Sequence, residues 1–200
     1  MTARILAAAL TLSAAAAPAV ALPVVGQPAP AFTAHDADGK SVGLAQFKGR
    51  PVVLEWTNQG CPYVRHTYDS GVMQGLEKQA AAQGVSWISV VSSAPGHQGY
   101  LKPGEVAAWR ARTGAAPADV ILDPTGALGR QYGARTTPQM FVVDVRGRLI
   151  YAGAFDDRES TDAADAKTAK NYVRLALADL KSGRPIADPV TKSYGCSVEY

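Results

Sequence analysis

One stretch constrains this chain more than any other: Pro51-Val-Val-Leu-Glu-Trp-Thr57 running into Asn58-Gln-Gly-Cys61-Pro62. The first seven residues are mostly β-forming and apolar, the signature of a central strand buried on both faces. Asn58 to Cys61 break that strand, and from Pro62 to about Gln83 the pattern becomes helical, stopping at Gly84. Proline suits the first helical position, where its missing N–H would have had no partner anyway. Cys61 is therefore expected at the helix N-cap. There it faces unpaired N–H groups and the positive end of the helix dipole, which favour a nucleophilic thiolate. Arg65 and His66, one turn along, add positive charge. A cysteine can also be a small buried hydrophobe, but packing alone would not need Gly60 before it and Pro62 after it.

The remaining elements fall into place around this strand and helix. Phe32–Asp36 and Ser41–Leu44 flank Asp38-Gly39, a hairpin signal, and Leu44–Phe47 reads as a short helical turn. A second apolar strand covers Val85–Val91, followed by a Gly/Pro-rich loop from Ser92 to Gly104 and a helix from Glu105 to about Thr113. Val120–Leu122 is a short strand, and a helical turn ends near Tyr132. Met140–Val145 and Leu149–Phe155 form a hairpin about Arg146-Gly147. A final helix is expected from Ala163 to about Lys181, stopping at Gly183, and Asp156–Glu159 reads as a solvated loop. The order hairpin, then β-α-β-α-β-β-α, predicts an α/β protein with a mixed central sheet and helices on both faces.

Residues 1–21 read differently. Arg4 precedes an apolar stretch from Ile5 to Ala17, and Pro18 and Ala19-Val20-Ala21 follow it, the three parts of a secretory signal peptide. The expected division is a leader at 1–21, one domain at 22–185 and a C-terminal tail at 186–200. The expected location is outside the cytoplasm, the periplasm if the source is Gram-negative, with no stable membrane span after cleavage. Apolar residues make up 47% of the chain and the formal charge is +3, with no basic stripe, so nucleic acid is not an expected partner. The three histidines, His35, His66 and His97, are scattered, and no metal or other cofactor is called for.

The loop Asn58-Gln-Gly-Cys61-Pro62-Tyr63-Val64, the Thr137-Pro138 pair and the tail Tyr194-Gly-Cys196-Ser-Val-Glu-Tyr200 together resemble redoxins of the alkyl hydroperoxide reductase and thiol-specific antioxidant group. The closer resemblance is to a peroxiredoxin-like branch that carries C-N-H-C-P-Y-V in this loop and G-C-S-I-K-W at the C-terminus. The resemblance implies a thioredoxin fold, with Pro138 in the cis position beside the cysteine and Thr137 presenting backbone groups to a substrate. It also implies a thiol-dependent oxidoreductase acting on a peroxide or disulfide substrate and recharged by an external thiol reductant such as a thioredoxin-like protein.

The departures are specific. The first cysteine of C-x-x-C falls at Asn58, so a local dithiol cycle is impossible. The peroxiredoxin pattern P-x-x-x-T-x-x-C wants Thr at 58 and Pro at 54, where this chain has Asn58 and Leu54. Thr57 substitutes only loosely, and Asn58 could offer a side-chain N–H to a developing oxyanion. Arg135 is a candidate for polarising the thiolate or a peroxide oxygen, or a solvated surface residue.

Cys196 offers a way to close the cycle, because a sulfenic acid at Cys61 would condense with a nearby thiol. A tail with Gly183 and Pro189 reads as flexible enough to deliver it. A permanent Cys61–Cys196 staple, worth about 4–5 kcal/mol by loop closure, is the structural alternative. Two other functions stay open. One is copper delivery, although Thr57 replaces one cysteine of the C-x-x-x-C-P ligand pattern. The other is a redox-inert binding module.

Overall fold

The computed structural model describes residues 22–200, so the expected leader at 1–21 lies outside the described residues. Two short antiparallel strands, β1 (Thr33–His35) and β2 (Ser41–Gly43), form the predicted N-terminal hairpin. Asp36 Oδ1 closes its turn by accepting from the N–H groups of Asp38 and Lys40. Next come β3 (Val52–Trp56), α1 (Pro62–Asp69), α2 (Val72–Ala82), β4 (Ser86–Val91), α3 (Val106–Thr113) and β5 (Asp119–Leu122). The chain continues through α4 (Ala127–Tyr132), the two-residue β6 (Thr136–Thr137), β7 (Gln139–Val143) and β8 (Leu149–Gly153). It ends with α5 (Ala163–Thr168), α6 (Tyr172–Lys181) and β9 (Cys196–Ser197).

The main sheet runs β5-β4-β3-β7-β8. β3, β4 and β5 are parallel, as helical crossovers require, while β7 and β8 form an antiparallel hairpin. This is the thioredoxin fold, with its mixed central sheet flanked by helices. Side-chain alternation divides the core in two. Val53, Trp87, Met140, Val142 and Tyr151 pack with α1, α2, α3 and α6. Val52, Leu54, Trp56, Ile88, Phe141 and Val143 pack with α4 and the N-terminal segment. No helix among the described residues is long and apolar enough to cross a membrane.

Two predicted helices are each broken once. The helix expected over 62–83 is two, because Ser70 ends α1 and Gly71 turns left-handed at φ +82° to start α2. The one expected over 163–181 also splits, and Asn171 caps α6 by accepting from the Arg174 N–H at 2.8 Å.

The tail differs most from its expectation of flexibility, since it is stitched to the domain along its length. The Asp179 carboxylate accepts from Arg184 and from the Ala187 N–H, which turns the chain back. Pro189 and Thr191 exchange backbone hydrogen bonds with Ala152 on β8. Thr191 Oγ1 accepts from the Ala154 N–H and meets Tyr151 Oη at 2.6 Å. β9 then pairs antiparallel with β6.

Candidate active site

β3 delivers the chain to Asn58, and Cys61 caps α1 with extended backbone (φ −73°, ψ 123°). Its carbonyl accepts from Val64 and Arg65 as the first helical turn forms. The sulfur does not cap its own helix. It turns the other way and donates to the Thr137 carbonyl at 3.1 Å, fully buried. The Thr137–Pro138 peptide is cis. Thr137 lies opposite Cys196 in the β6–β9 register, with its hydroxyl donating to the Cys196 carbonyl. Both thiols are free, Cys61 buried and Cys196 half-buried against the same core cluster. Burial, then interaction with the neighbouring Cys61 and the charge of its thiolate, push the Cys196 thiol up to about 12. At neutral pH Cys196 thus keeps its proton.

Gly195 makes this approach possible. Its φ of +122° is strained for any side chain, and a Cβ there would collide with the Thr137 carbonyl oxygen. Farther along, Val198 N–H donates to Arg135 O at 3.0 Å, and Glu199 O accepts from Ala94 N–H at 2.8 Å. Tyr200 Oη donates to Ala134 O at 2.5 Å, with its ring against Gly126 and Gly129. His97, for which the sequence offers no partner, meets Glu199 at 2.7 Å. The tail therefore lies over the cysteine as a strap pinned on both sides of Cys196.

The other expected site residues fall in different surroundings. Thr57 is buried with its N–H on Val90 O, and its hydroxyl faces the Glu55 carboxyl without closing a hydrogen bond to it. The Asn58 amide is occupied. Oδ1 accepts from Gly60 N–H at 2.8 Å and Nδ2 donates to Gln98 O at 3.2 Å, which locks the 92–104 loop to the cysteine turn. Gly60 and Gly99 leave the room this needs, since a Cβ at either would strike Gln98 or Asn58. Arg135 is exposed, its backbone joined to Gln139 and to the tail. Arg65 is exposed as well, whereas His66 is buried.

Sequence reasoning missed Asp156 and Tyr194. Asp156 is 1% exposed rather than part of a solvated loop, and its Oδ1 accepts from the Tyr194 hydroxyl and from Arg158 N–H. An acid placed directly after an apolar strand is the one local signal that it faces inward.

A second polar cluster centres on β3. Glu55, fully buried on β3, accepts from Trp87 Nε1 at 2.9 Å, Ser89 Oγ at 3.0 Å and Tyr68 Oη at 3.2 Å. The same hydroxyl lies 2.9 Å from Glu77, which also accepts from Ala116 N–H at 2.6 Å. Burial, reinforced by the charge of Glu55, pushes the Glu77 carboxyl up to about 7, and burial raises Glu55 as well.

This end of the sheet thus presents two free thiols against a cis-proline segment, which sets the molecule among thioredoxin-fold proteins with a cysteine at the start of the first helix. The redoxin family profile matches residues 24–170, and the chain belongs to the redoxin family. Among curated relatives, it is 29% identical to a chloroplastic peroxiredoxin Q of Suaeda salsa over 68% of this chain. It is 25% identical to a thiol-disulfide oxidoreductase ResA of Bacillus thuringiensis over 63% of this chain. The aligned part spans 64% and 67% of those relatives' own lengths. An uncharacterised conserved protein from Geobacillus kaustophilus has the same fold, with a TM-score of 0.76 at 24% identity over 88% of this chain and 92% of its own.

Proposed function

We propose that this redoxin is an exported thiol-dependent oxidoreductase that reduces peroxides through Cys61, with Cys196 as the resolving cysteine. The observation that carries the reading is the β6–β9 register. It puts Cys196 opposite Thr137 while Cys61 donates to the same residue's carbonyl. The likeness to peroxiredoxin Q supports the substrate class, and the leader-like residues 1–21 support export.

In the proposed cycle the Cys61 thiolate attacks one peroxide oxygen. The O–O bond breaks, an alcohol or water leaves after taking up a proton, and Cys61 becomes a sulfenic acid. The Cys196 thiol then attacks that sulfur; the S–S bond forms and water leaves, carrying the Cys196 proton. An external dithiol returns both residues to thiols by two exchanges. Attack falls on the Cys196 sulfur, the more exposed of the two, and expels Cys61 as the leaving thiolate.

A second reading is exchange with a protein or small-molecule disulfide without peroxide. It is favoured by the complete burial of Cys61 beneath the tail, which leaves half-exposed Cys196 as the thiol nearest solvent.

The deciding experiment treats fully reduced protein with one equivalent of hydrogen peroxide, with Cys196→Ser alongside, and follows intact and peptide masses. The expected result is a rapid Cys61–Cys196 disulfide in the wild type and a trapped sulfenic acid at Cys61 in the variant. Thiols unchanged after many minutes would remove the peroxidase reading and leave disulfide exchange.

A further inference from the structure

The two cysteines sit in a local arrangement more symmetrical than a redox pair alone requires. Tyr63 stands two residues after Cys61, and Tyr194 stands two residues before Cys196. Their rings meet edge to face with centroids 5.9 Å apart. The outer end of this pair is tied down by Asp156, which lies in the segment between β8 and α5. Asp156 Oδ1 takes the Tyr194 hydroxyl together with Arg158 N–H, so the orientation of the carboxylate is set by backbone.

Its other oxygen, Oδ2, is buried without a partner among the described residues, and so are both ring nitrogens of His66. His66 is on α1, the helix that Cys61 caps, and is 2% exposed. Tyr63 of α1, Tyr194 of the tail and Asp156 of the β8–α5 segment thus form one chain of contacts through the three segments that must keep register for the thiols to meet.

We propose that Asp156, Tyr194 and Tyr63 form a brace that fixes Cys196 opposite Cys61, making Asp156 and Tyr194 positioning residues for disulfide formation between them. This rests on the proposed thiol cycle for its purpose but not for its existence.

The brace is placed to act on geometry rather than on reactivity. Tyr194 is only two residues from Cys196, and the backbone of Gly195 between them is packed against the Thr137 carbonyl, so the Tyr194 anchor sets where the next sulfur falls. Farther from solvent, the same hydroxyl and carboxylate are exposed to little competition from water, which strengthens a bond to a charged acceptor. Release of the tail would break the Tyr194 hydrogen bond to this buried carboxylate, a bond that helps to hold a strand, β9, of only two residues.

The test compares reduced wild type with Tyr194→Phe, Asp156→Asn and Asp156→Ala in the full chain, by amide hydrogen exchange and by thiol–disulfide equilibrium against glutathione. In Tyr194→Phe and Asp156→Ala, the amides of Val198 and Ala94 should exchange about tenfold faster, matching the loss of one hydrogen bond to a charged group. Amides of β3 and β4 should keep wild-type protection. The effective concentration of the two thiols should drop by a similar factor. Asp156→Asn retains an acceptor for Tyr194 and should lie closer to wild type in both readouts.

Unchanged tail protection and unchanged effective concentration in both Tyr194→Phe and Asp156→Ala would overturn the brace. So would uniform loss of protection through β3 and β4 in all three variants, since that is a general packing defect. Should wild type form no Cys61–Cys196 disulfide at all, the thiol cycle fails, and the exchange readout still decides the brace by itself.

Discussion

Among the described residues a tyrosine hydroxyl meets a buried carboxylate in two places, and they are built to different standards. Around Glu55 every partner comes from the packed domain: Tyr68 from α1, Trp87 and Ser89 from β4, with Glu77 of α2 closing the far side. Around Asp156 one oxygen is bonded and the other is not, and the tyrosine arrives on the tail. A fully partnered buried network holds a core together, while a half-partnered one leaves its segment easier to lift. Global stability should therefore reside in the first cluster and local tail docking in the second.

The largest expected effect is on pH dependence. Glu77 binds a proton up to about pH 7 in the folded chain but only to about 4.5 when exposed. The protonated native form is thus favoured, so this stabilisation is complete below about pH 4.5 and is lost as pH rises through about 7. It amounts to something on the order of 3 kcal/mol. Burial raises Glu55 and Asp156 too, which adds to the same slope. Denaturation midpoints should fall between pH 5 and pH 8, and Glu77→Gln should flatten the slope while Tyr194→Phe leaves most of it. A slope unchanged by Glu77→Gln would break the comparison.

Next in size, Tyr68→Phe removes the hydroxyl shared by two carboxylates and should cost about 2 kcal/mol in urea unfolding at pH 6. A cost below that of Tyr194→Phe would reverse the ranking of the two clusters. The smallest global change should come from Gly195→Ala. Its Cβ would collide with the Thr137 carbonyl, so β9 should leave β6 and the tail amides should lose protection. Urea stability should stay within about 1 kcal/mol of wild type, because the core keeps its packing. A large global loss would show that the tail belongs to the cooperative unit.

What the sequence made legible follows the same division. The strand, the cysteine turn and the start of the helix were readable because their signals are local: an apolar run, Gly60, and Pro62 at the first helical position. The breaks at Gly71 and Asn171 were not, since a one-residue interruption leaves the apolar periodicity of both halves intact. The docked tail was harder still. Pairing of Thr137 with Cys196 joins residues far apart in the chain through two-residue strands, which have no pattern long enough to detect. Asp156 was read as solvated for a related reason. Acids in loops are usually exposed, and its partner Tyr194 is brought to it only by the fold.

The Thr137 carbonyl oxygen is touched from two sides, by the Cys61 thiol and by the backbone at Gly195. A thiol can donate to it only while the sulfur carries hydrogen. Oxidation of Cys61 to a disulfide withdraws that S–H donor and leaves the oxygen with its other neighbours alone. The redox state of one side chain is thus translated into the hydrogen bonding of the peptide group ahead of Pro138, in the same strand that holds the tail.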